Sequence, residues 1–552
     1  MKVRTRKIFL LVGATALLGL VTSACPPPCD GCGTGGGTGG GAATGGGTGG
    51  GAGTGGNLGT GGGTTGSVTV TGRVTYDFVP EAYTVGSTAS LDFGRASQRP
   101  VRRGVVQVLQ GTTVLAATAT GGDGSFSISY TPSGTTNLTL YALSQTVEPS
   151  ITVKDNTDRN LLWAVGAQLS GSNQMVNLHA THGWNGSAYV LANRSAAPFA
   201  ILDSMFTASR AFMAARPNIT FPPLKVNWSP NNVPQPGDKT MGQISTSHFS
   251  PSENELYILG KEGADTDEFD SHVIVHEWGH FFEANLARSD SPGGRHGPGD
   301  ILDPRIAFGE AWGNSVAAMV LPETMYIDTN WNGANMSGFG FDAETEPNPS
   351  DDPTPSAFSE SSVLRVLYDV FDPANESFDS VAVGLGPIAD VLMGPQKNTD
   401  AMTTLASFIT ALKAQPGVNG AAVDTLLAHS TIGPVRSIFG DGDPGLRGMY
   451  TDATLPYAAT IALGGGNSPN SWEQNQYYIV NGNGSTVAVS ATCTQDVAIA
   501  VYRKGTKLAA ADANTSGTES LTFSSQAGTV YVMVLTGYGA TPGNYDIAVN
   551  IQ

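Results

Sequence analysis

Two stretches of this chain place apolar residues at every second position, and helical spacing occurs only between them. A period of two sends alternate side chains to opposite faces of a strand, whereas a period near 3.6 gathers them on one helix face. The chain is therefore constrained to fold as sheet, then mixed helix and sheet, then sheet again. The first alternating stretch runs from Ser67 to about Asp155 and includes the runs VTVTGRV, VVQVL, SFSISY and LTLY between Gly and Asp turns. The second begins near Leu455, with STVAVSATC, VAIAVYRKG, TVYVMVLTG and GNYDIAVNI. Helices are expected from Phe199 to Ala215, Asp270 to Arg288, Ile306 to Leu321, Ser359 to Phe371 and Asp400 to Ala414. A chain of 552 residues exceeds one ordinary core. The expected organisation is multidomain: an α+β domain over 156–454 between two all-β sandwiches, 67–155 and 455–552.

Both flanking stretches resemble known modules. The order VTVTGRV, then VVQVLQGTTVLAATATGGDGSFSISY, resembles transthyretin-like regulatory domains, which accompany carboxypeptidases and many surface proteins. The closing Gly543-Asn544-Tyr545-Asp546-Ile547 and its strand spacing resemble the pre-peptidase C-terminal domain found beside secreted bacterial peptidases.

Ahead of the first sandwich, Lys2, Arg4, Arg6 and Lys7 precede the apolar run Ile8 to Val21 and then Thr22-Ser23-Ala24-Cys25. This predicts a signal peptide over 1–24, its apolar run being short for a membrane span. The cysteine after two small residues resembles a bacterial lipoprotein processing site, with Thr22 in place of the usual leucine. The resemblance implies lipidation of Cys25; the alternative is cleavage and release. From 25 to 66 the chain is a Cys- and Gly-rich tether, with no apolar surface to offset ordering entropy. Cys493 stands apart from Cys25, Cys29 and Cys32, so no disulfide framework is expected across the domains. The formal net charge of −18 argues against nucleic acid and anionic lipid as partners. Membrane contact is expected only through the N-terminal anchor.

The chemistry concentrates in the middle. Val273-Ile274-Val275-His276-Glu277-Trp278-Gly279-His280-Phe281-Phe282 carries His-Glu-x-x-His inside an apolar helical run that Asp270 or Ser271 can cap. Positions i and i+4 share a face, so both imidazoles can reach one ion, while Glu277 is rotated aside to hold a water. The plainer alternative, a surface helix with two satisfied histidines, fits poorly with the flanking Val273, Ile274, Phe281 and Phe282. A catalytic zinc needs a third protein ligand, and Glu310 is the best candidate. Ala307, Glu310 and Asn314 share a helical face, Gly309 and Gly313 admit a close neighbour, and Asn314 can accept a hydrogen bond from a ligand imidazole. His296, Asp300 and Asp303 are read as cleft rim or loop bracing, Glu283 as a supporting residue and His272 as structural.

His276-Glu277-x-x-His280 followed by a helix with Gly309-Glu310 and a polar residue four positions later resembles the gluzincin peptidases, the thermolysin and fungalysin clan. Glu255 to Gly260 resembles the edge strand on which that clan lays its peptide, and Asp265 to Asp270 an acidic lead-in to the helix. Asn314 stands where the thermolysin family has Asp. The resemblance implies a zincin-like fold for 156–454 and one catalytic Zn2+ on His276, His280 and Glu310.

The resulting expectation is a zinc-dependent endopeptidase acting on protein or peptide substrates outside the cytoplasm, with a metal-activated water and Glu277 as general base. Tyr368 is the first candidate for the oxyanion donor, against a plain core role, and His296 the second. Calcium is considered at Asp265–Asp270 and at Asp441-Gly442-Asp443, where solvated turns are the simpler reading. The rival function is a non-catalytic cell-surface adhesion protein that retains a metallopeptidase fold.

Overall fold

The computed structural model describes residues 4–5, 66–330, 338–345, 350–373, 376–465, 470–539 and 543–552. Cys25 and the tether up to residue 65 lie outside them, as does the expected signal segment apart from Arg4 and Thr5. No helix among the described residues is long and apolar enough to cross a membrane.

The first alternating stretch forms two facing sheets. Val68–Phe78 pairs antiparallel with Ser125–Tyr130 and Ser97–Pro100, and parallel with Gln174–Met175 and Leu178–Ala180. The facing sheet contains Gly104–Gln110, Thr113–Ala119, β1 (Leu138–Val147) and Ala164–Gln168. Val70, Val74 and Tyr76 meet Val106, Val108, Leu140 and Val165 in the core between them.

This unit does not stop at Asp155. β1 turns into β2 (Ser150–Asp155), the chain crosses over through α1 (Ala197–Ala215), and β3 (Leu224–Trp228) pairs parallel to β2. Then come β4 (His248–Ser250) and β5 (Glu255–Ile258), with β5 parallel to β3 and β4 antiparallel to β5. The boundary expected at 155 thus falls inside one continuous ten-stranded sheet. The cause is two-sided burial. Ile151 and Val153 of β2 face the helical core, while Phe199 and Ala200 of α1 enter the sandwich core. The expected edge strand Glu255 to Gly260 is likewise corrected: β4 covers its outer side and is itself the edge.

All five expected helices form, among them α2 (Ser271–Asn285), α3 (Pro304–Val320) and α4 (Glu360–Asp369). α3 runs through the centre of the domain, with every residue from Pro304 to Met319 buried. Pro304 opens it, and the Asp303 carboxylate accepts the Arg305 N–H at 2.9 Å. Asp270 precedes α2 without bonding its free amides; its carboxylate accepts instead from the backbone and hydroxyl of Thr329. Phe212 of α1 packs on Trp278 and Phe282 of α2, at ring centroid distances of 5.2 and 4.6 Å. Helices α2 and α3 touch almost backbone to backbone. A Cβ on Gly279 would stand 3.2 Å from Gly313 Cα and 2.9 Å from Val316 Cγ1.

The C-terminal stretch is a second sandwich of a five-stranded and a four-stranded sheet. It begins earlier than the expected 455, because Tyr450–Ala453 pairs with Asn475–Asn481. Tyr477 turns into the helical core, where its hydroxyl donates to Asp303 at 2.6 Å. The last sandwich is thereby tied to the start of α3.

Gly279→Val should destabilise the protein by about 1–3 kcal/mol in denaturant unfolding, because α2 and α3 cannot both keep their positions. Gly309→Ala, where an added Cβ meets nothing closer than 3.5 Å, should be near neutral.

Candidate metal centre

α2 presents His276, Glu277 and His280 toward a face of α3 that carries Glu310 and Asn314. The two Nε2 atoms of His276 and His280 are 3.0 Å apart. Glu310 Oε2 stands 3.3 Å from the first and 3.5 Å from the second. Ligands at 2.0–2.1 Å from a tetrahedral zinc ion lie about 3.3 Å from one another, so these three atoms have the spacing of one face of such a site. All three side chains are largely buried, where a carboxylate and two imidazoles need a common partner. Burial raises the Glu310 carboxyl, yet His280, His276 and His296 around it outweigh burial and hold it well below the usual carboxylate range.

A second tier fixes these groups. His276 Nδ1 donates to Asn314 Oδ1 at 2.8 Å, which leaves its Nε2 lone pair facing Glu310. Asn314 Nδ2 donates to Glu360 Oε1 at 2.7 Å, so an amide suits this position better than a carboxylate would. Gly313 is required beside the same ring, since a Cβ there would stand 2.6 Å from His276 Nδ1. Glu283 lies fully buried behind His280, 3.5 Å from Nδ1, and burial pushes its carboxyl up to about 7. Glu277 Oε2 accepts the Phe249 N–H at 2.7 Å, which ties it to the edge strand β4.

His296 enters from the loop before α3. Its Nε2 is 3.3 Å from Glu310 Oε2, and its Nδ1 donates to the Gly294 carbonyl at 3.1 Å. It is therefore a member of the site, where the sequence suggests only a rim residue or second-choice donor. Tyr326, which no spacing in the sequence singles out, stands with its ring 6.3 Å from that of His276 and stacks on Phe341 at 4.8 Å. Tyr326 and Phe341 belong to the hairpin of β6 (Met325–Asp328) and β7 (Phe339–Asp342).

Tyr368 is not brought to the site. It lies in the core beside Phe371, and burial with Glu344 and Asp372 nearby pushes its hydroxyl up to about 12. Helical spacing buries that face of α4 instead of turning it to the cleft. His272 points away and bonds the Glu323 carbonyl. Asp303 caps α3, while Asp300 lines the cleft. The calcium candidate at Asp441–Asp443 is accounted for by protein partners: Asp441 pairs with Arg447, and Asp443 accepts the N–H groups of Gly445 and Leu446. Asp265 and Asp267 are buried and not solvated turns; they meet Asp328 with oxygens within 4.8 Å of one another in the cleft wall.

The cleft over these residues encloses about 2480 Å³ and draws on all three parts of the chain. Tyr83 and Val85 come from the first sandwich and Lys504 to Thr506 from the last.

No family model matches this chain, and no curated protein matches it. Among solved structures, the pre-peptidase C-terminal domain of collagenase from Bacillus anthracis aligns with 19% of this chain and 94% of its own length, at 14% identity and a TM-score of 0.16. A 9R-lipoxygenase from Cyanothece PCC8801 aligns with 28% of this chain and 25% of its own, at 13% identity and a TM-score of 0.14. Scores that low carry no argument about fold or activity.

Asn314→Asp should place two carboxylates in contact where an amide now donates to Glu360. The variant should lose about 1–3 kcal/mol at neutral pH. The deficit should shrink as pH falls and one of the pair takes a proton, which thermal melts at several pH values would read.

Proposed function

We propose that this chain is a zinc-dependent endopeptidase of the gluzincin type, with a zincin-like domain set between the two sandwiches. One observation carries the reading: His276, His280 and Glu310 converge from two helices at the spacing of a zinc site, with Glu277 alongside. Bound there, zinc would act as a Lewis acid toward a peptide carbonyl and lower the pKa of water.

The remaining work falls to side chains. Glu277 is the general base, and its bond to Phe249 holds Oε2 so that Oε1 can take a proton from water and pass it to the leaving amine. Asn314 keeps His276 in the tautomer a ligand needs. His296 takes over the oxyanion role first sought at Tyr368, since its Nε2 faces the Glu310 carboxylate at 3.3 Å while its Nδ1 is held by the Gly294 carbonyl. Tyr326 lines the cleft beside the His276 ring. A volume well above the ~300–1,000 Å³ of small-molecule pockets suits a polymer, and β4, the edge of the sheet, brings His248 and Phe249 to the cleft that an extended peptide would enter. The basic and then apolar run before Cys25 supports export, with Cys25 as lipid anchor or with release after cleavage.

Glu277→Gln should lower cleavage of an unfolded protein such as casein by about 10²–10⁴-fold with zinc content unchanged. Cleavage by the parent should stop with chelator and return with zinc; undiminished hydrolysis by the variant in zinc-replete buffer would sink the mechanism. His296→Gln should lower kcat while one zinc per chain remains. Loss of zinc from that variant would make His296 a ligand instead of a donor.

A further inference from the structure

Beyond the C-terminal end of α4, a second group of acidic side chains gathers. Glu344 follows β7, and Asp372 and Glu376 follow the C-terminal end of α4. One carboxylate oxygen from each lies within 4.8 Å of the others. Two oxygens at 2.3–2.6 Å from a calcium ion can be at most about 5 Å apart, so the three fit around one such ion.

Proximity of acids alone would prove little, since exposed carboxylates cluster freely in water. This group is different. Asp372 is only 5% exposed, and its Oδ1 is buried with no hydrogen-bond partner among the described residues. Glu376 Oε2 and, beside them, Asp379 Oδ2 are in the same condition. A buried carboxylate oxygen without a donor costs roughly 1–3 kcal/mol or more, and three of them in one place need a shared partner. Burial, then the negative charges of Glu344, Glu376 and Asp379, and a hydrogen bond with Glu344 push the Asp372 carboxyl up to about 7.

We propose that Glu344, Asp372 and Glu376, with Asp379 beside them, form a second cation site that takes calcium. The donor set selects the ion. Carboxylates with neither imidazole nor thiolate suit a hard cation better than zinc, and an irregular set of protein oxygens suits calcium better than magnesium, which keeps its octahedral waters. The site lies apart from the histidine centre but is joined to it by structure. It would clamp the end of the β6–β7 hairpin, which carries Tyr326 and Phe341, to the C-terminal end of α4. The opposite end of α4 bears Glu360, which holds Asn314. Calcium would therefore stiffen one wall of the cleft.

The test uses the full chain carrying Glu277→Gln, so that self-cleavage cannot enter the readout, freed of calcium and supplied with zinc. Calcium should raise its melting temperature in a concentration-dependent way, and magnesium at equal concentration should raise it less. Adding Asp372→Asn and Glu376→Gln should remove one calcium equivalent from the calorimetric titration. Without calcium, that variant should melt no lower than its parent, because clustered negative charge has been removed. Asp372→Asn alone gives the same readout if the double variant fails to fold. A parent indifferent to calcium, equal stabilisation by magnesium, or variants that bind as many calcium ions as the parent would overturn the proposal. None of these outcomes depends on whether the histidine centre hydrolyses peptides.

Discussion

The close approach of α2 and α3 is the constraint on which the rest of the structure depends. Two glycines, Gly279 and Gly313, remove the side chains that would hold the helices apart. The gap that remains is filled by the His276 imidazole itself, laid against Gly313 and bonded to Asn314 one residue further on. Polar groups thereby enter the middle of an apolar core. Their outer atoms are bonded, His276 Nδ1 to Asn314 and Asn314 to Glu360, while the two Nε2 atoms and a Glu310 oxygen are left converging on one point. Helix geometry does the rest, since one turn separates His276 from His280 and another separates Glu310 from Asn314.

Around that pair, the continuous sheet explains how a peptide-sized cleft comes to be lined by three parts of the chain. Because β2 and β3 pair directly, the first sandwich cannot swing independently of the helical core, and its Tyr83 and Val85 stay at the cleft. The same sheet ends in β4, whose Phe249 amide meets Glu277. At the other side, the Tyr477–Asp303 bond anchors the last sandwich to the helix that carries Glu310. The flanking modules act as walls as well as neighbours.

Much of this was legible in the sequence where a short-range rule governs. The helices stand within a few residues of their expected limits, since apolar spacing and caps are local signals. The neighbourhood of His276, His280, Glu310 and Asn314 follows from i, i+4 spacing within two helices plus one assumption, that the helices face each other. Where no local rule applies, sequence reasoning loses resolution. Tyr368 has the periodicity of a core residue and is one. Tyr326 sits on a short strand with nothing in its spacing to mark it, and His296 lies in a glycine-rich loop whose path no periodicity describes. The continuity of β2 with β3 depends on pairing across about seventy residues, which alternation within either strand cannot reveal.

The sequence by itself determined which segments are strands and helices, and which side chains share a helix face. Backbone geometry dictates both over a few residues. Only the tertiary structure decided which faces meet, that β4 rather than β5 is the edge, and that Asp372 is buried beside the half-buried Glu344 and Glu376. Those outcomes depend on contacts between residues far apart in the chain, and their free energies come from burial, which no local pattern encodes.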